Sequence, residues 1–314
     1  MRVEKLILTF NIVLPVFLVM AIGFICRRAG LVSEETTKGM NKLVFRLFLP
    51  ASLIKSIMGI EKGAITSPGV MLFGALGTVA VFAAAMMIVP RLVEDNPRRG
   101  ALVQAIFRSN YAIMGLPLSE ALFPQGDGGV AAMMVIATVP VFNMLAVVTL
   151  EYFRGGRCTP GKILKGVVKN PLIWACVIGY VLLQLPFRLP EFATSTLSKV
   201  ASVSSPVALF VLGASIDPEK LRGNAKALLW GSAARLAIVP GVMLAIAVAM
   251  GFRGPELAAL MITFGTPCAV SSYTMAAQMD SDADLAGQLV MLTTVASAVT
   301  VFIMIFLFKT LNLL

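Results

Sequence analysis

Two apolar stretches of the chain carry polar side chains and a proline where an apolar helix would otherwise run unbroken. The first is Arg108–Pro117, with the sequence RSNYAIMGLP, and the second is Thr263–Ser272, with the sequence TFGTPCAVSS. A proline removes one backbone donor and opens the helix one turn earlier. Because opened backbone at membrane depth needs partners from protein or from a water-filled cavity, both stretches are candidate binding sites.

The two prolines predict where each helix opens. We expect unwinding at Gly115–Pro117 and at Gly265–Pro267, and a new helix after each break, since proline suits the first helical turn. The exposed N–H groups and the positive dipole end of such a helix favour an anion, above all a carboxylate. The alternative is a pair of ordinary proline kinks packed against neighbouring helices. The candidate binding residues are Gly115, Pro117, Leu118, Ser119, Thr266, Pro267, Cys268, Ala269 and Ser271.

Two further polar residues of the first stretch are candidates. The amide of Asn110 can both donate and accept, which suits a carboxylate or open backbone, although an interhelical hydrogen bond would explain it equally well. Arg108 is expected either to attract an anion at the cytoplasmic vestibule or to form a structural pair with Glu151. Arg46 and Arg235 are interpreted as structural, because each lies within snorkelling distance of a cytoplasmic boundary.

The composition is that of a polytopic helical membrane protein. Hydrophobic residues make up 58% of the chain and charged residues only 13%, against about a quarter charged in soluble proteins. The net charge of +10 is explained by cations in cytoplasmic loops, so no nucleic-acid partner is expected. There is no histidine, the four cysteines are scattered, and no P-loop, GxSxG or HExxH motif occurs. We therefore expect neither an enzyme nor a bound metal or cofactor.

The apolar runs predict ten transmembrane helices of about 20 residues each. Most loop cations lie on one side of these spans, which is therefore cytoplasmic. Both termini are then periplasmic or extracellular, and residues 154–168 form a cytoplasmic linker. The predicted spans are 6–27, 37–59, 69–90, 100–122, 129–153, 169–186, 196–216, 226–250, 255–279 and 285–311.

The two halves of the chain resemble each other. Pro50-Ala51-Ser52-Leu53 matches Pro206-Val207-Ala208-Leu209 at an offset of 156 residues (206 − 50), and the segments starting at Met134 and Val290 match at the same offset (290 − 134). Pro117 and Pro267 are 150 residues apart. Residues 1–153 and 169–314 are therefore predicted to be two five-helix repeats. An odd number of spans per repeat makes them inverted, as in alternating-access carriers.

The sequence resembles the auxin efflux carrier family, which includes plant PIN-type auxin carriers and bacterial malonate carriers. The resemblance covers nearly the whole chain and is carried by the segments Met40–Leu43, Pro50–Leu53, Asn110–Pro117, Glu151–Tyr152 with Arg154, Asn170-Pro171, Ala234–Leu236 with Pro240, and Thr266-Pro267. It implies an elevator-type carrier with a scaffold of spans 1, 2, 6 and 7. Spans 3–5 and 8–10 would form the moving transport domain, and two scaffolds would meet in a homodimer.

The resemblance also implies a role for the two broken spans. Spans 4 and 9 would cross and hold an organic anion, with Asn110 contacting its carboxylate. The fold is similar to that of sodium-coupled bile-acid transporters, but span 9 lacks their acidic sodium-site residue, so coupling to protons, sodium or neither stays open. We expect a secondary transporter that exports or exchanges a small carboxylate across a bacterial inner membrane. The alternatives are a cation-coupled importer of dicarboxylates such as malonate and a ligand-binding membrane sensor.

Overall fold

The fold is known from a computed structural model that describes residues 2–59, 67–115, 118–119, 122, 129–154, 160–184, 189–217 and 223–314. Within these residues all regular elements are helical. The α-helices are α1 (Arg2–Arg28), α2 (Glu34–Leu43), α3 (Leu49–Met58), α4 (Pro68–Leu92), α5 (Asn96–Phe107), α6 (Gly129–Phe153), α7 (Pro160–Lys169), α8 (Pro171–Gln184), α9 (Glu191–Ser202), α10 (Ser204–Ala214), α11 (Ala225–Ala233), α12 (Val239–Ala249), α13 (Gly254–Gly265), α14 (Ser271–Gln278) and α15 (Ala283–Thr310).

Several of these helices are long and apolar enough to cross a bilayer. In the described part of the chain five stretches qualify, namely Pro68–Leu92, Met133–Phe153, Glu191–Ala214, Ala225–Ala249 and Ala283–Thr310. A sixth is a pair of segments, Ile163–Lys169 and Pro171–Gln184, that meet at an angle of 58°. The predicted all-helical membrane architecture is therefore confirmed. The count of ten spans and the inverted orientation of the repeats stay predictions.

Two π-helical segments sit immediately before prolines. Val44–Phe48 joins α2 to α3, and Ala234–Ile238 joins α11 to α12. Pro50 and Pro240 follow the two segments by two residues. Each proline lacks the N–H that would bond the carbonyl four residues back, and its ring crowds that carbonyl. A wide turn relieves both problems, which explains why the helix is locally π at these positions.

The most extensive helix packing divides the elements into two groups. In the first group α1 packs on α10, and α3 packs on α8 and α9. In the second group α4 packs on α5 and α6, α12 on α13, and α14 on α15. Smaller contacts connect the groups, among them those of α14 with α2 and α10.

The first group contains an unusually close helix contact. A Cβ atom on Gly23 of α1 would lie 2.1 Å from the carbonyl oxygen of Phe210, and one on Gly213 of α10 would lie 1.9 Å from that of Met20. The backbones of α1 and α10 are therefore in direct contact at both glycines. Small residues allow such an approach between helices in a membrane.

Candidate functional site at the crossing of two interrupted helices

Two extended segments, Arg108–Asn110 and Thr266–Ala269, pair with each other within the second packing group. We call the place where they meet the crossing. Helix α5 ends at Phe107, and α13 ends at Gly265. Beyond these ends the Asn110 N–H donates to the carbonyl of Pro267 at 2.8 Å, and the Ala269 N–H donates to that of Arg108 at 3.3 Å. Ser109 and Cys268 thus form one antiparallel bridge pair between the segments. The backbone opened in each helix is satisfied by the other.

One of the two predicted breaks lies where it was expected. Helix α13 ends at Gly265, which confirms the predicted opening at Gly265–Pro267. The first helix also opens earlier than predicted, since Arg108 already has extended backbone and Tyr111–Gly115 is a π-helical segment. The predicted break at Gly115–Pro117 stays a prediction, because Leu116 and Pro117 lie outside the described residues. Backbone groups that leave a membrane helix must find hydrogen-bond partners. For Arg108–Asn110 these partners are supplied by Pro267 and Ala269.

Gly115 has a packing role in this arrangement. A Cβ atom there would lie 2.4 Å from Cγ2 of Ile262 and 3.3 Å from the ring of Tyr111. The π-helical segment therefore lies directly against α13. Leu118 and Ser119, two further predicted binding residues, are both buried.

Arg108 is buried beside the crossing and has neutral partners. Its side chain is 3% exposed. Nη2 donates to Oδ1 of Asn143 at 2.5 Å, and Nη1 donates to Oε1 of Gln104 at 3.2 Å and contacts the sulfur of Met275 at 2.7 Å. No aspartate or glutamate is among the buried residues that the structure describes. The charge of Arg108 is therefore solvated by amides and a thioether rather than by a carboxylate.

Glu151, the predicted alternative partner of Arg108, lies elsewhere. Its carboxylate accepts a hydrogen bond from Arg154 at 3.1 Å, and Arg154 also contacts Asp280 at 2.8 Å. Partial burial lowers the pKa of Arg154, but the hydrogen bond that it donates to Asp280 and the charges of Asp280 and Glu151 outweigh that effect and raise the pKa above its ordinary value. This cluster ties the end of α6 to the turn after α14. The structure does not bring the predicted pair together.

Asn110 combines a paired backbone with an unpaired side-chain donor. Its carbonyl accepts from the N–H of Met114 at 3.2 Å, and its residue is buried. Within the described part of the protein, Nδ2 of Asn110 has no hydrogen-bond partner. A buried donor without a partner is costly, so this amide is available to a ligand.

The second segment supplies hydroxyls and a helix N-terminus. The hydroxyl of Thr266 donates to the carbonyl of Ile262 at 2.8 Å and accepts from that of Ser109 at 2.9 Å. The buried Cys268 donates its N–H to the hydroxyl of Thr293 at 3.2 Å. Helix α14 then starts at Ser271, a half-buried residue. Its positive dipole end adds to the positive charge of Arg108 near the crossing.

Sequence reasoning did not place several residues at this site. Arg235 bonds to backbone, as its structural interpretation expected, but it donates to the carbonyls of Thr266 at 2.8 Å and Thr263 at 3.1 Å, which places it at the crossing rather than near a membrane boundary. Asn143 and Gln104 were not singled out, although an amide within an apolar span is itself a signal of a buried polar contact. The contact of Asn143 depends on how α6 packs on α5, which the sequence pattern does not specify, whereas Gln104 lies only four residues before Arg108.

A separate cavity of about 740 Å³ lies between α4, α5, α11 and α12. Its walls include Ile88, Trp230 and Val242, and its lining also includes Glu94 and Arg98. Its described lining contains none of the predicted binding residues. The crossing and this cavity are thus distinct features of the second packing group.

Comparison with known proteins gives the chain its family. Residues 8–305 match the family described as membrane transport protein. The chain belongs to that family. It is the auxin efflux carrier family that the sequence resembles, and its proteins are transporters rather than enzymes.

Relatives of similar length match the chain nearly end to end. An uncharacterized transporter of Methanothermobacter thermautotrophicus is 25% identical over 297 residues, covering 92% of this chain and 94% of the relative. The uncharacterized transporter MJ1031 of Methanocaldococcus jannaschii is 21% identical over 307 residues, covering 93% and 96%. The uncharacterized transporter YfdV of Escherichia coli K12 is 22% identical over 284 residues, covering 87% and 90%.

Proposed function

We propose that this membrane transport protein carries a small organic carboxylate across a bacterial inner membrane and binds it at the crossing of the two interrupted helices. The observation that carries this proposal is the environment of Arg108, a buried guanidinium whose side-chain partners are Asn143, Gln104 and Met275. Removing a charge from water costs several kcal/mol unless an opposite charge compensates it. A carboxylate ligand supplies that opposite charge.

The neighbours of Arg108 fit the same ligand. Asn110 has an unpartnered Nδ2 donor, and the N-terminus of α14 begins at Ser271, directly after the second extended segment. Both features favour an oxygen anion over a cation or a neutral molecule. The described residues include no buried carboxylate that could neutralise Arg108, which also favours an anionic ligand.

The two packing groups support an elevator-type movement. The helices of the first group, α1, α3 and α8–α10, lie in the spans of the proposed scaffold, 1, 2, 6 and 7. The crossing belongs to the second group, which matches the proposed transport domain. In this mechanism the second group moves as a body and presents the crossing to each side of the membrane in turn. The scaffold is the proposed homodimer surface, with both termini outside and the linker in the cytoplasm.

The test is uptake into proteoliposomes of purified protein. A carboxylate panel that includes malonate and indole-3-acetate is presented without a gradient, with a proton gradient and with a sodium gradient. We expect saturable uptake of at least one carboxylate, and the gradient dependence names the coupling ion. Asn110→Ala should reduce uptake by about tenfold or more, since a hydrogen bond to a charged group contributes about 1.5–3 kcal/mol.

Asn96→Ala is the matched control. It removes the same side chain from the opposite end of α5, where Oδ1 accepts from Arg99 at 2.7 Å, and it should leave uptake unchanged. Uptake that is equal in Asn110→Ala and the wild type would remove Asn110 from the site. Saturable binding without flux would contradict transport and favour a membrane sensor.

A further inference from the structure

Arg235 is a buried cation that bonds to backbone alone. Its side chain is 0% exposed. Nε donates to the carbonyl of Thr266 at 2.8 Å, and Nη2 donates to that of Thr263 at 3.1 Å. Nη1 lies 3.3 Å from the carbonyl oxygen of Ile106 and 3.4 Å from that of Phe107. One guanidinium therefore reaches four backbone carbonyls on two different helices.

All four carbonyls lie at the ends of the two interrupted helices. Ile106 and Phe107 are the last two residues of α5, and Thr263 and Thr266 are at the C-terminal end of α13. The last carbonyls of a helix have no intrahelical donor and carry the negative end of its dipole. Arg235 satisfies them at both interrupted helices at once, where the two extended segments begin.

The local backbone presents Arg235 to both helix ends. It lies in the π-helical segment Ala234–Ile238, which precedes Pro240 and contacts both α5 and α13. The arginine of the π-helical segment Val44–Phe48, Arg46, lies one position nearer to its proline and is exposed. A π-helical segment before a proline therefore does not by itself bury an arginine, and Arg235 is buried where two helix ends meet it.

We infer that Arg235 is a positioning residue that joins the C-terminal ends of α5 and α13 and thereby holds the two extended segments in register for substrate. It does not touch the substrate in this account. Its positive charge is directed at helix carbonyls, whereas that of Arg108 remains for a ligand. The effect on substrate affinity rests on the proposed function, but the effect on the geometry of the crossing does not.

The bridge pair provides a direct reporter of that geometry. Ser109 and Cys268 are flanked by the hydrogen bonds from Asn110 to Pro267 and from Ala269 to Arg108, so they form a non-hydrogen-bonded antiparallel pair. Cα atoms in such pairs are about 4.5 Å apart, and disulfides form at Cα separations of about 4.4–6.8 Å. Ser109→Cys therefore places a thiol opposite the native Cys268.

The experiment measures how fast this disulfide forms. Cys26, Cys158 and Cys176 are replaced by serine, membranes carrying Ser109→Cys are oxidised, and free thiols are counted with a maleimide polymer after denaturation. We expect rapid loss of both thiols when Arg235 is present. Arg235→Lys keeps the charge but cannot reach four carbonyls, and we expect crosslinking to slow about tenfold. Arg235→Gln, which keeps two N–H donors but no charge, should slow crosslinking at least as much as Arg235→Lys.

Arg253→Lys is the matched control. Nη1 of Arg253 donates to the carbonyls of Val248 and Phe252 at 2.8 and 2.7 Å, so it also bonds helix-end carbonyls, but on one exposed turn. Its replacement should leave the crosslinking rate unchanged. Because the assay runs in membranes before purification, a variant that is unstable in detergent still gives a result.

Transport supplies the second readout. With a carboxylate that the wild type transports, Arg235→Lys should raise KM by about tenfold and lower the maximal rate much less, since it disturbs the binding geometry. Wild-type crosslinking in Arg235→Lys would overturn the inference. Slow crosslinking with an unchanged KM would also overturn its positioning role. Slow crosslinking in a protein that transports none of the panel would sustain the geometric part while the proposed function fails.

Discussion

At the scale of single residues, Gly115 allows the span after the crossing to lie against α13. A Cβ atom at this position would be 2.4 Å from Cγ2 of Ile262. Ile262 is fully buried, and a β-branched side chain has little rotamer freedom with which to move away. Even one added methyl group must therefore displace its neighbours.

Gly115→Ala is predicted to destabilise the protein by about 1–3 kcal/mol, the usual cost of overpacking a dense interior. The check is the thermal unfolding midpoint of the purified protein in detergent. Gly161→Ala on α7 is the control, because a Cβ atom there meets nothing within 4 Å. It should leave the midpoint unchanged or raise it slightly. An unfolding midpoint of Gly115→Ala equal to that of the wild type would show that the contact with Ile262 relaxes freely.

Single residues also show how far sequence reasoning reaches. A lone arginine within an apolar span predicts a buried polar contact, and Arg108 makes one with Asn143. The partner was not predicted, because the two residues are 35 positions apart and meet only through the packing of α5 on α6. Arg235 was expected to be structural, but its partners were not predicted, since helix-end carbonyls leave no signature in the sequence.

At the scale of elements, the early opening of the first helix at Arg108 was not predicted, although the repeat offset in the sequence is consistent with it. The extended segments begin at Arg108 and Thr266, 158 residues apart (266 − 108). This is close to the offset of 156 residues that relates the other repeat segments, whereas Pro117 and Pro267 are 150 apart. Proline spacing alone does not show the opening at Arg108, because pairing between two segments also decides where a membrane helix opens.

The contact between α1 and α10 gives an element-scale prediction. Gly213→Ala would place a Cβ atom 1.9 Å from the carbonyl oxygen of Met20, and backbone cannot move aside as a side chain can. We expect the two helices to separate, with a loss of about 2 kcal/mol or more. The fraction of protein that elutes as a single symmetric peak in size-exclusion chromatography should fall accordingly.

Gly241→Ala is the control for this helix contact. It lies in α12, and an added Cβ atom there meets nothing within 4 Å. The control should elute as the wild type does. If Gly213→Ala also elutes and unfolds as the wild type does, the close approach of α1 and α10 is not required for the fold.

At the scale of the whole molecule, the described interior has positive charge and no carboxylate to balance it. Arg108 and Arg235 are its buried charged residues. Arg235 is compensated by the carbonyl ends of α5 and α13, but Arg108 has amide and thioether partners. Both lie in the packing group that contains the crossing. An organic anion bound there would complete the charge balance of that group.

The most direct test of this account is equilibrium binding of a transported carboxylate and of its uncharged amide analogue to the wild type and to Arg108→Gln. The wild type should prefer the carboxylate by about 10- to 100-fold, as expected for a charge-assisted contact. Arg108→Gln should lose most of that preference, whereas Arg46→Gln, which alters an exposed arginine, should retain it. An undiminished preference for the carboxylate in folded Arg108→Gln would contradict the proposed anion site.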